Sequence, residues 1–135
     1  MSEIDGPPDG SLEVEDVRVF VPSQDFAQSK AFYNALGWTT VWTDDEGLAI
    51  LELGGHRFML QDHFVKDWAH NFMIAVVVRS AQAWFERVTD VLAAGDFGDA
   101  RVAEPKAEDW GATVTYVWDP CGVLIHFTEF PATTD

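Results

Sequence analysis

The sequence predicts an α+β protein built as a repeat, because its two halves carry the same order of strand, helix and three further strands. A β-branched run at residues 17–21 precedes a helical stretch, and a second run at residues 72–78 precedes another. Each half then closes with two strand-like segments around a glycine-containing turn, at 54–55 and at 119–122. Since one such unit cannot bury its sheet alone, paired units are expected to form a concave surface suited to a small ligand.

Composition and charge exclude several classes of function. The chain has 135 residues, 47% of them hydrophobic, which predicts one folded domain. Its 23 acidic and 8 basic residues give a net charge of −15, which disfavours nucleic acid as a partner and permits a cationic small ligand. The apolar runs are too short to cross a membrane, no segment resembles a signal peptide, and Cys121 is the single cysteine. A soluble cytoplasmic protein is therefore expected.

Domain boundaries follow from acidic, proline-rich and glycine-rich stretches. Residues 1–14 are predicted to be a flexible acidic leader and residues 132–135 a tail. Between them, residues 15–131 are expected to form a single domain of two units, at about 15–66 and 71–131.

In the first half, the alternation of Val17, Val19 and Val21 predicts the first strand, which Pro22 is expected to break. Asp25 and Gln28 resemble a capping box at the start of the first helix, and Gly37 is placed to end it. Three strands are predicted after that helix, at residues 38–43, 48–53 and 56–63, the last two forming a hairpin.

In the second half, Ser80 is placed to begin a helix and Gly95 to end it. Residues 96–111 form the longest irregular stretch, with a short strand expected near Arg101. A long loop of this kind often forms the wall of a binding site. A final hairpin is predicted to turn at residues 119–122.

Four sequence phrases in this order resemble a known superfamily. They are VPS at residues 21–23, SKAFYNALGW at 29–38, EP and WG at 104–105 and 110–111, and DPCGVLI at 119–125. The chain resembles the vicinal-oxygen-chelate superfamily, which includes glyoxalase I, extradiol dioxygenases and bleomycin-resistance proteins. The resemblance spans nearly everything except the leader. It implies two βαβββ modules forming an open cleft, usually in a homodimer.

Members that are enzymes usually place metal ligands on the first and last strands of each module. Transferred residue by residue, that pattern falls on Asp16 or Arg18, Gln61, Ala75 and His126. A methyl group offers no lone pair and an arginine repels a cation, so no metal cofactor is predicted. The alternative is a divalent ion (Ni, Zn, Mn or Fe) held by Asp16, Gln61 and His126, in a lyase, isomerase or dioxygenase.

The chain is rich in tryptophan, whose flat ring stacks on planar and cationic ligands. Trp84 belongs to the second helix and is expected in the core, whereas Trp110 lies in the long loop and is the best candidate for a ligand contact. Strand alternation adds five residues to the predicted cleft face. They are Phe20, Met59, Gln61, Met73 and His126.

The predicted function is metal-independent binding of a small aromatic or cationic molecule, similar to antibiotic sequestration. Gln61 and His126 are expected to orient that ligand by hydrogen bonds. No catalytic residue is assigned, and Cys121 lacks the helix N-terminus or nearby cation that activates a thiol. A third possibility is a dimeric structural or regulatory module with a vestigial cleft.

Overall fold

The computed structural model describes residues 10–132, so most of the predicted leader and the last three residues lie outside the described part. It contains nine strands and three helices in the described residues. They are β1 (Phe20–Ser23), α1 (Phe26–Leu36), β2 (Thr39–Thr43), β3 (Leu48–Leu53), β4 (His56–Asp62), α2 (Lys66–Ala69), β5 (Met73–Val77), α3 (Ala81–Ala94), β6 (Arg101–Val102), β7 (Lys106–Ala107), β8 (Thr113–Trp118) and β9 (Leu124–Glu129). None of the described helices is long and apolar enough to cross a membrane.

The first module is a four-stranded sheet in the order β1-β4-β3-β2, with α1 packed on β4 and β2. β1 pairs parallel with β4, in a register that sets Phe20 beside Met59. The hairpin between β3 and β4 turns at Gly54 and Gly55, whose φ angles of 59° and 83° suit glycine in a two-residue turn. The predicted hairpin is confirmed.

The first strand differs from its prediction at both ends. It begins at Phe20, so Val17 and Val19 lie before it with exposed side chains. It also continues through Pro22 to Ser23, where a break was predicted. The proline is tolerated because β1 is an edge strand, where a missing N–H costs no ladder hydrogen bond.

The second module is a sheet in the order β5-β9-β8-β6, with β7 also paired to β8. The irregular stretch at residues 96–111 supplies both short strands, and only the one near Arg101 was predicted. Helix α3 packs on β6, β8 and β9. The two modules therefore share one topology, with the first strand parallel to the last and the helix on one sheet face.

The helix boundaries follow the capping residues that the sequence predicts. The Asp25 carboxylate accepts a hydrogen bond from the Gln28 N–H at 3.0 Å, and the Ser80 hydroxyl accepts one from the Ala83 N–H at 3.0 Å. Gly37, with φ at 129°, ends α1 and donates its N–H to the Tyr33 carbonyl. These contacts satisfy backbone groups that a helix end leaves unpaired.

The two modules pack through their helix-bearing faces into one aromatic core. Helices α1 and α3 contact each other. The Trp84 ring stacks on Phe127, with centroids 4.4 Å apart, which confirms the prediction that Trp84 packs in the core. The Tyr33 hydroxyl donates to the Asp119 carboxylate at 2.7 Å and so joins α1 to the turn between β8 and β9. The Arg87 guanidinium donates to the carbonyl of Leu36 at 2.8 Å.

Each sheet consequently keeps one face on the shared core and one face away from it. On β4, Leu60 is fully buried and Gln61 points to the opposite side. On β9, Phe127 is fully buried and His126 points to the opposite side. The two open faces of one chain are therefore turned outward, away from the core between the modules.

Candidate functional site

The open face of the first sheet brings together three predicted site residues. The ladder places Phe20 beside Met59, and Pro22 beside Gln61. Alternation then sets Phe20, Met59 and Gln61 on one face of the sheet, with the Phe20 side chain half exposed. The Gln61 amide, which can both donate and accept hydrogen bonds, is therefore surrounded by apolar surface.

A cavity of about 480 Å³ lies at the edge of this face. Phe20 and Gln61 line it together with Trp68 of α2 and Phe72. Trp68 is 69% exposed and its indole is therefore available for stacking. The sequence analysis assigned Trp68 no role in the site.

The open face of the second sheet brings together the remaining strand residues. Parallel pairing sets Met73 beside Leu124 and Ala75 beside His126, and antiparallel pairing sets Tyr116 on the other side of His126. The Tyr116 and His126 rings meet edge to face, with centroids 4.9 Å apart. His126 thus occupies the centre of the face, between a methyl group and a phenol.

Glu108 reaches over the second face from the loop after β7. It accepts a hydrogen bond from the Tyr116 hydroxyl, and this bond is the main reason that the pKa of Tyr116 is raised. Burial lowers the pKa of His126, while the nearby Glu108 carboxylate opposes that shift. The Nε2 atom of His126 is buried and has no hydrogen-bond partner within residues 10–132. A neutral imidazole with a free nitrogen can donate to or accept from a ligand group.

Trp110 follows Glu108 in the same loop and lies at the rim of the second face. Its ring centroid is 6.0 Å from that of Phe130, and its side chain is 62% exposed. The loop geometry follows from a hydrogen bond of the Glu108 N–H to the Ala112 carbonyl, at 2.8 Å, which folds residues 108–112 back towards β8. Trp110 is thereby held as an exposed aromatic surface.

The six predicted binding residues therefore fall into two groups within one chain. Phe20, Met59 and Gln61 share the first open face, whereas Met73 and His126 share the second with Trp110 at its rim. The sequence analysis missed Tyr116 and Glu108. Hairpin register could have identified Tyr116, since counting back from the turn at residues 119–122 places it opposite His126. Nothing in the sequence pattern pairs Glu108 with it.

The alternative metal ligands do not form a convergent donor set in this chain. The Asp16 carboxylate lies before β1 and is engaged by the Arg18 guanidinium at 2.8 Å. Gln61 and His126 belong to different sheet faces, and Ala75 stands beside His126 where a donor would be needed. Residues 10–132 contain no group of three or more His, Cys, Asp or Glu side chains positioned to hold an ion. These residues do not fit a divalent metal site within this chain.

Another cavity lies between the modules. It has a volume of about 650 Å³ and runs along the edge of β5, between Val19 and the core residues Trp38 and Trp84. Its walls are mostly apolar, and none of the six predicted binding residues lines it. Size alone therefore does not identify the ligand site.

Comparison with known proteins relates the chain to solved structures. No family model and no curated protein sequence matches it. The bleomycin resistance determinant encoded on transposon Tn5 is 25% identical, with a TM-score of 0.72 over 87% of this chain and 99% of that one. A Streptomyces verticillus bleomycin-binding protein, complexed with copper(II)-bleomycin, is 20% identical, with a TM-score of 0.71 over 87% and 99%. Lactoylglutathione lyase from Agrobacterium tumefaciens is 14% identical, with a TM-score of 0.64 over 86% and 94%.

Proposed function

Since the chain has the glyoxalase/bleomycin-resistance fold of the vicinal-oxygen-chelate superfamily, we propose that it binds a small aromatic or cationic molecule without a metal ion. The fold class and the resemblance identified from the sequence are confirmed by the structural neighbours. The fold itself hosts many chemistries, so the proposal depends on the side chains of the two open faces.

The observation that carries the proposal is the exposure of large apolar and aromatic side chains on both open faces. Met73 is 63% exposed, Trp110 62% and Phe20 51%. Exposed apolar groups of this size, close to a few polar groups, are typical of ligand or protein interaction surfaces. The nearest polar groups are the Gln61 amide and the His126 imidazole, whose unpartnered Nε2 is buried and meets a ligand only when the side chains that cover it move aside. Such a surface suits a planar ligand that needs a few orienting hydrogen bonds.

The charge of the chain favours a cationic ligand. With a net charge of −15, the protein attracts cations and raises their local concentration at its surface. Glu108 places one of those carboxylates at the second open face, where it accepts from the Tyr116 hydroxyl and is paired with the Lys106 ammonium at 3.7 Å. The bleomycin-binding proteins among the structural neighbours make sequestration of an antibiotic the role we favour.

The same geometry supports a homodimer. Because the open faces of one chain point away from each other, they cannot enclose one ligand between them. A cleft lined by both faces would form if the first module of one protomer met the second module of its partner. Sedimentation velocity at micromolar concentration is expected to show a dimer, and a purely monomeric species would contradict this part of the proposal.

Metal independence is proposed on the chemistry of the residues. Ala75 contributes a methyl group beside His126, and Arg18 already neutralises Asp16. The rival metal-dependent lyase, isomerase or dioxygenase would need donors from two protomers to converge. Thermal unfolding of chelator-treated protein, titrated with Mn²⁺, Ni²⁺ and Zn²⁺, is expected to show no saturable rise in melting temperature. A saturable rise that is lost in His126→Ala would favour the rival.

The binding proposal is tested with metal-free bleomycin as the probe, followed by a panel of planar organic cations, using tryptophan fluorescence of chelator-treated protein. We expect saturable binding that weakens about tenfold in Trp110→Ala and His126→Ala, the scale of one lost aromatic or charge-assisted contact. Gln61→Ala is expected to weaken it less. The control is Gln82→Ala, which removes an exposed amide from α3.

Unchanged affinity in all three site variants would contradict the assignment of the open faces as the binding site. Absence of saturable binding across the whole panel would contradict the proposed ligand class.

A further inference from the structure

A second cavity, of about 520 Å³, lies where the segment between the modules meets the turn joining β8 to β9. Unlike the cavity along β5, it is mostly polar. Lys66, His70 and Arg101 line it, with Trp118 and Asp99 beside them. None of the residues predicted to bind the ligand of the open faces belongs to it.

The cationic side chains of this cavity have no acidic partner in the described residues. Elsewhere, the Arg57 guanidinium pairs with Glu52 at 2.6 Å, and the Lys106 ammonium with Glu108 at 3.7 Å. Neither Lys66 nor Arg101 forms an ion pair within residues 10–132. The chain has only eight lysines and arginines against 23 acids. Two unpaired cations therefore line one polar cavity of a protein whose overall charge is strongly negative.

Arg101 is held in a geometry that suits an anionic oxygen group. The short strand β6 pairs with β8 so that Arg101 lies beside Trp118, and the centre of its guanidinium is 3.6 Å from the centroid of the indole ring. Stacking of this kind fixes the plane of the guanidinium and leaves the N–H groups at its edge free to donate. A phosphate or a carboxylate accepts two such parallel hydrogen bonds.

The opposite wall is also fixed by the backbone. Lys66 begins α2, and His70 caps its C-terminal end one helical turn later. The His70 N–H donates to the Lys66 carbonyl at 3.0 Å, so both side chains lie on one side of that turn. The His70 ring rests directly on Gly122, where an added Cβ would lie 2.5 Å from its Cδ2 atom. A glycine at this position therefore allows the ring to approach the turn.

We propose that this cavity binds a small molecule through an anionic oxygen group, either a phosphate or a carboxylate. The binding groups are the Arg101 guanidinium, the Lys66 ammonium and the His70 imidazole. Asp99 is the one carboxylate among the described lining residues, so the permanent charges of the cavity sum to one positive charge. The Cys121 thiol adds no negative charge, because burial raises its pKa to about 12. This site is independent of the proposed ligand of the open faces.

The test uses the full chain labelled with ¹⁵N and follows the Trp118 indole N–H and the Gly122 amide by two-dimensional NMR. Inorganic phosphate and acetate are titrated separately at constant ionic strength. We expect saturable shifts of both signals with at least one anion, and weaker binding as NaCl is raised. Saturation by phosphate alone identifies a phosphate site, and saturation by acetate as well identifies a general oxyanion site.

Variants connect the signal to the proposed groups. Arg101→Gln is expected to weaken binding about tenfold, as for one lost charge-assisted hydrogen-bonded contact, and Lys66→Gln by a smaller factor. The matched control is Arg79→Gln, which removes another exposed arginine without an ion pair in residues 10–132 and should change affinity less than twofold. Linear shifts without saturation would overturn the proposal. So would an Arg101→Gln protein that keeps its native spectrum and binds as tightly as the control.

Discussion

Replacing Tyr33 by phenylalanine tests whether the hydrogen bond between the modules stabilises the fold. The substitution removes one oxygen and leaves the ring in the core, where it packs edge to face against Phe32, Trp38 and Phe58. The lost contact is the 2.7 Å bond to the Asp119 carboxylate, and both residues are almost completely buried. Asp119 keeps the backbone N–H donors of Cys121 and Val123 on its other oxygen.

The cost follows from leaving one oxygen of a buried carboxylate without its donor. Hydrogen bonds to charged groups contribute about 1.5–3 kcal/mol, and an unsatisfied buried acceptor costs a similar amount. We therefore expect Tyr33→Phe to lower the free energy of unfolding by about 2 kcal/mol at neutral pH. For a domain of this size the melting temperature should fall by roughly 5–10 °C.

The pH dependence gives a sharper test. Burial raises the pKa of Asp119, while the Tyr33 hydroxyl opposes the shift by stabilising the ionised form. An acid whose pKa is raised in the folded state destabilises the fold where it is ionised, and this cost is relieved as the pH falls through the folded pKa. Losing the hydroxyl raises that pKa further. The difference between Tyr33→Phe and wild type should therefore be largest at neutral pH and shrink on acidification.

The assay is urea unfolding at several pH values and one fixed protein concentration, since association would also contribute to stability. Tyr116→Phe is the matched control, because it removes the same atom from a partly exposed pair with Glu108 and should cost less than about 1 kcal/mol. A cost for Tyr33→Phe no larger than that of this control at pH 7, or one that grows on acidification, would refute the reasoning.

Three further predictions concern single residues outside the ligand faces. Ser80→Ala removes the cap of α3 and should cost about 1 kcal/mol in urea unfolding, with Gln82→Ala near zero. At Gly122 the φ angle is +101°, and an added Cβ would lie 2.5 Å from the His70 ring. Gly122→Ala should therefore lower the free energy of unfolding by more than about 1 kcal/mol. Adding His70→Ala should recover only the part of that loss caused by the steric contact. The Cys121 thiol, buried and with its pKa raised to about 12, should resist iodoacetamide at pH 8 in the folded protein and react rapidly in denaturant.

The alternation of side chains along the strands predicts part of the candidate site. Strand alternation alone placed Gln61 and His126 on the sheet faces opposite the core residues Leu60 and Phe127, because side chains alternate whatever the sheet packs against. Glu108 was missed because its contact with Tyr116 depends on how a loop folds back over the sheet. The sequence analysis disfavoured a metal site because Ala75, at one of the expected ligand positions, has only a methyl group. The structure places Ala75 beside His126 through the strand register.

The sequence by itself determined the repeat of two similar modules. The helix caps at Asp25 and Ser80, the hairpin turns and the alternation of side chains along the strands all follow from local hydrogen bonding and backbone sterics. The sequence could not determine where β1 begins, because the parallel partner of Phe20 is a residue almost forty positions away. Only the tertiary structure decided which way the open faces point. Packing α1 against α3 in one shared core turns both faces outward, and that choice depends on long-range contacts such as the one between Tyr33 and Asp119.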